Sequence, residues 1–238
     1  VTADGIDSAT ITVTLKDEYN NLISGKIVTL SQGEGSSVVE AVCSTTRLDG
    51  TAEFTVTDTK AEQVTYTARV NGVAINQTVE VTFIPGPAES LTVSAAGTQK
   101  AGEPFSVTVT AKDRYGNTAT GYRGTVQLTG TDAKAVLPDA HTYTADDKGT
   151  YTFSGVILKT AGTHSITSVD ADNASINGTV ENITVAAGSS YSTLSEITAD
   201  KSAVTADGKD SASITVLIRD DFGNPVSGKI VTLSQSEG

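Results

Sequence analysis

The sequence predicts an all-β fold: tandem immunoglobulin-like β-sandwiches with Greek-key connections, strung like beads on a string. Three observations carry this reading. Apolar residues alternate with polar ones at period two, glycine-containing turn signals separate these stretches, and the chain repeats itself at a fixed offset.

The alternation is clearest where Ile11, Val13 and Leu15 interleave with Thr10, Thr12 and Thr14. Phe105, Val107 and Val109 repeat it, as do Ile214, Val216 and Ile218. Such a pattern places one face of a strand in a core and the other in water. Further strands are expected over 25–31, 38–45, 51–57, 63–70 and 73–83, then near 90–95, 124–129, 150–158, 163–169 and 176–185. Asp49-Gly50, Asn71-Gly72, Lys148-Gly149 and Asn177-Gly178 are read as the turns between them. No stretch shows a helical apolar stripe. About seven short strands per ~100 residues matches the Ig-like sandwich.

The repeat is stronger still. Residues 1–35 align without a gap with 204–238, and 24 of the 35 positions are identical. A third copy of one motif lies between them. Lys16-Asp17-Glu18-Tyr19-Asn20-Asn21 and Arg219-Asp220-Asp221-Phe222-Gly223-Asn224 match Lys112-Asp113-Arg114-Tyr115-Gly116-Asn117. Each is followed four residues later by glycine: Gly25, Gly228 and Gly121. The organisation is therefore one domain type, a diverged one, then the first again. We place the domains at 1–86, lacking a first strand; at 87–187; and at 188–238, the N-terminal half of a third sandwich. The stretch Leu194–Lys201 reads as a first strand that has no counterpart before Val1. An isolated half-sandwich is expected to be unstable unless something covers it. Ile84-Pro85-Gly86-Pro87 should make a stiff joint and Ala186-Ala187-Gly188-Ser189-Ser190 a looser one.

Composition narrows the function classes. Trp and Met are absent and aromatics make up 5%, so the cores are thin layers of Val, Ile, Leu and Ala. A chain that begins with Val and has no Met is expected to be an internal segment of a longer protein. The net charge of −12 is spread along the sequence, which argues against nucleic acid and anionic membranes as partners. No stretch reaches the ~18 apolar residues of a membrane helix, so no membrane insertion is expected. A lone cysteine, Cys43, permits no internal disulfide.

The string Leu194-Ser195-Glu196-Ile197-Thr198-Ala199-Asp200-Lys201, continuing through Val204-Thr205-Ala206-Asp207-Gly208 to Asp220-Asp221-Phe222-Gly223-Asn224, resembles the group 1 bacterial Ig-like domain. The first copy shares it, and Asp49-Gly50-Thr51-Ala52-Glu53-Phe54 fits that family's later hairpin. The middle domain departs around Tyr122-Arg123-Gly124 and over 131–148, and is read only as Ig-like. The family builds the stalks of invasin- and intimin-type adhesins. The resemblance implies a bacterial cell-surface or secreted protein, a spacer or filament segment and no enzyme. Its expected partners are neighbouring repeats or copies of itself, with any host or matrix ligand bound by domains outside this segment. The alternative is a module that binds carbohydrate or a host protein.

No catalytic, cofactor-binding or metal residue is assigned. His141 and His164 carry no nucleophile signature around them and read as a turn and a strand residue. Three Cys and His residues in two domains do not make a zinc site. Ca²⁺ is kept as the one alternative cofactor, because Asp146-Asp147, Asp170-x-Asp172-Asn173 and Asp200 supply oxygens near loops, although none has EF-hand spacing. Lys16 and Lys112 become Arg219 in the third copy, so an isopeptide bond at that position is disfavoured. The sequons at Asn76, Asn173, Asn177 and Asn182 are read as chance products of Thr-rich sequence. Cys43 follows Val39 and Ala41 at period two and is expected to face the core. In the shared motif Asp17, Asp113 and Asp220 are expected to accept backbone hydrogen bonds. The rings of Tyr19, Tyr115 and Phe222 are expected to lie over the sandwich end.

Overall fold

A computed structural model describes residues 1–189 and 191–235. Among these residues there are sixteen strands and no helix. The chain divides by packing density into two units. Unit 1 is Val1–Leu91 with Thr110–Gly124 and Tyr143–Thr150; unit 2 is Thr92–Val109, Thr125–Thr142 and Tyr151–Gly238.

Unit 1 holds a sandwich of two three-stranded sheets. One is ordered β1 (Ala9–Thr14), β4 (Thr51–Thr57), β3 (Val38–Cys43); the other β2 (Val28–Gln32), β5 (Gln63–Val70), β6 (Val73–Thr82). Alternation on β4 buries Ala52, Phe54 and Val56 and leaves Glu53 and Thr55 between them half-exposed. Phe54 stands opposite Ile11 on one side and Ala41 on the other. From the second sheet Val28, Val64, Tyr66, Ala68 and Val81 close the core. The buried Tyr66 hydroxyl donates to Ser37 Oγ at 2.7 Å, so its polar end is satisfied inside apolar surroundings.

Unit 2 contains a five-stranded sheet ordered β11 (His141–Thr142), β10 (Thr125–Gly130), β13 (Gly162–Asp170), β14 (Asn177–Ala186), β8 (Thr98–Lys100). It also carries the sheet β12 (Thr150–Ile157), β9 (Pro104–Lys112), β7 (Ser90–Ser94), whose strand ends 90–91, 110–112 and 150 fall in unit 1. Val93, Val107, Val109, Val126, Leu128, Phe153, Ile166, Ile183 and Val185 are its buried layer. A two-stranded hairpin-like pair, β15 (Tyr191–Ala199) with β16 (Ile214–Arg219), completes the unit.

Three of the four expected turns lie where the sequence puts them. Gly50 has φ 72°, Asn71-Gly72 has φ 49° and 80°, and Lys148-Gly149 has φ 48° and 79°, all in the region that Gly and Asn tolerate best. Asn177-Gly178 is the exception. Both residues pair with β13 inside β14 (Asn177 with Val169, Gly178 with Ser168), and the turn is made upstream by Asp170 and Asn173. Asp170 Oδ1 accepts the N–H groups of Asp172 and Asn173, so an Asx turn closes the loop before Asn177 is reached.

Cys43 is not a core residue. The register of β3 on β4 shifts between Ala41 and Cys43, and this bulge breaks the period-two rule that would have turned the thiol inward. Its Sγ lies half-buried and donates to Thr45 O at 3.1 Å.

Candidate functional site

The shared motif builds a closed loop in all three copies. Asp113 Oδ1 accepts the N–H groups of Tyr115 and Asn117, both at 2.9 Å, and Asp113 Oδ2 accepts Asn117 Nδ2 at 2.9 Å. Asp220 does the same with Phe222 and Asn224, and Asp17 with Tyr19 and Asn21. Gly116 and Gly223 adopt φ 85° and 87°, and Asn20 takes φ 70° in the first copy. The preceding basic residue braces the loop in the two later copies: Lys112 Nζ donates to Thr118 Oγ1, and Arg219 Nη1 to Gly223 O.

What the loop does is visible in its outward bonds. Within unit 1, Asn117 Oδ1 accepts Ala61 N–H at 2.9 Å, Asn117 Nδ2 donates to Thr59 O at 2.9 Å, and Gly86 N–H donates to Asp113 Oδ2 at 3.0 Å. Within unit 2, Asn224 Oδ1 accepts Ala161 N–H at 2.9 Å, Asn224 Nδ2 donates to Lys159 O at 2.8 Å, and Gly188 N–H donates to Asp220 Oδ2 at 2.7 Å. One Asp–Asn pair thus clamps a loop of the preceding sandwich and the linker glycine with the same three bonds in each unit. Pro-rich and small-polar linkers differ in composition, yet in both a linker glycine donates to the Asp of the following motif.

The aromatic residue of the motif in the two later copies also meets residues upstream of it, Asp4 at Tyr115 and Gly102 at Phe222. Tyr115 donates its hydroxyl to Asp4 O at 2.8 Å. Phe222 has no hydroxyl and uses its ring. A Cβ at Gly102, which has φ 84°, would fall 2.4 Å from Phe222 Cε2, so only glycine admits the ring there. Lys134 Nζ donates to Phe222 O at 2.9 Å, and Lys159 Nζ lies 5.9 Å from the ring centroid. Tyr19 is 77% exposed.

Docking buries the carboxylates. Asp113 and Asp220 are 5% and 1% exposed. Burial pushes both carboxyls up, but the bonds from the Asn side chain, the linker glycine and the loop amides outweigh it and hold them below the usual carboxylate range. Two receiving-loop acids escaped sequence reasoning. Asp58 Oδ1 accepts Lys60 N–H, and Asp132 accepts the N–H groups of Lys134, Lys159 and Thr160 as well as Thr160 Oγ1. Burial raises the Asp132 carboxyl, yet the Thr160 hydroxyl and these amides bring it down to about 2. Nothing in the local sequence around Asp132 marks it, because its partners lie 27 and 28 residues away.

The other singled-out residues do not converge. His141 stacks on Tyr151 with ring centroids 3.4 Å apart, and His164 Nε2 sits 2.8 Å from Thr160 O. Asp147 Oδ2 accepts Thr144 N–H, closing a local turn, and Asp200 Oδ1 accepts Ser213 N–H across the connection between β15 and β16. Among the described residues no three His, Cys, Asp or Glu side chains are grouped so as to hold a metal ion.

A tandem of Ig-like sandwiches joined by side-chain clamps is the class of protein that this geometry defines. Residues 1–84 match the model of the bacterial Ig-like domain (group 1), and residues 191–238 that of invasin domain 3. Those two segments are therefore similar to bacterial Ig-like domains, the second to one of invasin. Over 99% of its length the chain is similar to the inverse autotransporter adhesin YeeJ of Escherichia coli strain K12, at 26% identity across 251 aligned residues, and spans 10% of that relative. Among solved structures it is similar to the Escherichia coli adhesin FdeC (TM-score 0.56, 24% identity, covering 96% of this chain and 72% of that one). It is similar also to Yersinia pseudotuberculosis InvD (TM-score 0.50, 19% identity, covering 95% and 69%). Both likenesses bear on the fold. These named relatives include adhesins and no enzyme.

Proposed function

We propose that this segment is a spacer in a bacterial cell-surface adhesin, holding a binding region away from the cell through sandwiches whose joints are fixed by the Asp–Asn clamp. The observation that carries the reading is the recurrence of the same three clamp bonds at Asn117 and Asn224. A spacer benefits from duplication and from stiff joints, and here the duplicated motif is itself the joint. In this reading the segment has no catalytic activity and needs no cofactor or Ca²⁺, and N–H donors satisfy the clamp carboxylates as anions. Its partners are neighbouring repeats, and any host or matrix ligand is bound outside it. The binding-module alternative has less support, because Tyr115 is spent on the joint and the His141–Tyr151 stack is half-buried.

The test compares the unaltered chain with an Asn117→Ala, Asn224→Ala double variant by small-angle scattering and single-particle imaging. A narrow spread of inter-domain angles that broadens in the variant supports the proposal. Equal, broad spreads in both would overturn it.

A further inference from the structure

The dipeptide Asn-Gly occurs twice, at Asn71-Gly72 and Asn177-Gly178, and the fold gives the two opposite settings. Asn-Gly is chemically labile. Glycine has no side chain to shield its main-chain nitrogen, so that nitrogen can reach the carboxamide of the Asn before it. Reaction then depends on how freely the main chain can rearrange there and on whether the glycine N–H is already bonded.

Asn71 and Gly72 are both exposed and form the whole connection between β5 and β6. Their φ values of 49° and 80° are those of a two-residue type I′ turn, closed by the pair Val70–Val73. The Gly72 N–H therefore lies outside the ladder. A Cβ at Gly72 would meet nothing within 4 Å, so the surroundings leave the turn free to move. The tip is also weakly tied. The register of β5 on β6 shifts between Thr67 and Arg69, which leaves Arg69–Ala74 and Val70–Val73 as the pairs beyond the irregularity. A tip held by so short a ladder opens at small cost.

Asn177-Gly178 lies inside a ladder instead. Asn177 opposes Val169 and Gly178 opposes Ser168, and Thr167–Thr179 and Ile166–Val180 continue the run. Asp170 N–H donates to Ile176 O at 3.0 Å, so by the alternation of an antiparallel pair Gly178 N–H is directed at Ser168 O. The carboxamide is held as well. Asn177 Nδ2 donates to Ala174 O at 2.9 Å and to Ser175 O at 3.3 Å.

We propose that Asn71 is a site of spontaneous covalent modification, becoming aspartate or isoaspartate, and that its strand protects Asn177 from the same reaction. Gly72 N loses its proton and bonds to Asn71 Cγ. The Cγ–Nδ2 bond breaks, and the amide nitrogen leaves with that proton as ammonia. Water then opens the resulting cyclic imide at either carbonyl. One opening gives aspartate, and the other gives isoaspartate, whose main chain runs through Cβ and Cγ. Asparagine and water are thus converted to acid and ammonia, with no other reactant. Each event adds one negative charge to a chain of net charge −12. Isoaspartate also lengthens the main chain of a turn that tolerates no insertion, so Val70–Val73 and Arg69–Ala74 lose their register. The pairs from Gln63–Thr82 to Thr67–Thr78 lie on the far side of the irregularity and are kept.

The experiment incubates the folded full chain at mildly alkaline pH and follows both dipeptides by peptide mapping, with isoaspartate read by enzymatic methylation. Conversion at Asn71 should run roughly tenfold or more faster than at Asn177, and in denaturant the two rates should converge to within about twofold. Amide exchange at Val70 and Val73 should quicken in the converted fraction, with Val64 and Val81 unchanged. Asn71→Gln should remove the isoaspartate signal from the tip peptide. An aged chain in which Asn71 stays intact overturns the proposal. So does conversion of Asn177 as fast as that of Asn71 in the folded chain, or a tip signal that survives Asn71→Gln.

Discussion

The first and third copies share 24 of 35 residues, yet they are built to different extents. Their Asp–Asn loops are the same to within 0.1 Å in the side-chain bond, 2.9 Å at Asn21 and 2.8 Å at Asn224. Their next strands are not the same. Val28–Gln32 is a strand paired to β5, and Val28 is fully buried; the identical residues Val231–Gln235 form no strand, and Val231 is 46% exposed. Loop geometry is local, because Asp and Asn four residues apart satisfy each other wherever the motif occurs. A strand is not. It needs a partner, which Val28–Gln32 has in β5.

In the half-sandwich at 188–238, β15 and β16 pair while Ile197, Ile214 and Leu233 are 64%, 51% and 56% exposed. Its Asp220 and Asn224 bond to Gly188, Lys159 and Ala161.

The largest effect should separate the copies by their cores. Phe54→Ala removes a ring that is 3% exposed and shared by β1, β3 and β4, at a cost of about 3–5 kcal/mol. Chemical denaturation should show the loss in unit 1, and hydrogen exchange at Ala161 and Gly188 in unit 2 should be unchanged.

Next in size is the clamp. Asn224→Ala leaves Ala161 N–H, Lys159 O and part of Asp220 without partners in a buried place, roughly 3 kcal/mol. Asn21→Ala removes the same side chain from an exposed loop and should cost about 1 kcal/mol or less. Amide exchange at Ala161 that is equally slow in the unaltered chain and in Asn224→Ala would break the comparison.

Acid should act on the same joint. The Asp132 carboxyl is lowered from 3.8 to about 2 in the folded chain, so the folded state favours the ionised form. Its contribution is complete above the unfolded value and is lost as pH falls from about 4 through about 2, amounting to about 2 kcal/mol. Asp132→Asn should flatten this part of the stability curve. A variant whose acid profile matches the unaltered chain would show that the loop at 159–160 does not depend on the charge.

Sequence reasoning reached the sandwiches through the alternation at Ile11–Leu15 and its counterparts, because burial on one face leaves a period-two trace. It reached the Asp–Asn loop as a turn, but not as a joint. The repeat of Asp113 and Asp220 was legible, while their acceptors and donors at Thr59, Ala61, Lys159 and Ala161 are backbone groups that any residue type supplies. The bulge at Ala41–Cys43 was equally silent, since one extra residue shifts the period without changing composition. The aromatic repeated at 19, 115 and 222 was the one signal that could have found the joint, because a ring repeated beside a polar turn needs a surface to cover.

The smallest effect tests that ring. Tyr115→Phe removes only the hydroxyl that donates to Asp4 O, a bond at the surface, and should cost about 0.5–1 kcal/mol. Phe222→Tyr adds the hydroxyl where the third copy has none, against a ring already seated over Gly102. If the aromatic serves by shape in one joint and by hydrogen bond in the other, the two substitutions differ: Tyr115→Phe lowers the midpoint of unfolding slightly, and Phe222→Tyr leaves it unchanged or lowers it through crowding. Gly102→Ala separates the two roles further. With φ 84° and a Cβ that would meet Phe222, it should slow unit 2 refolding and weaken its joint more than either ring substitution. Pairing it with Phe222→Ala should recover the part due to the clash and leave the part due to the backbone. Full recovery would mean that the glycine is required only by the ring, and none would mean that the turn alone requires it.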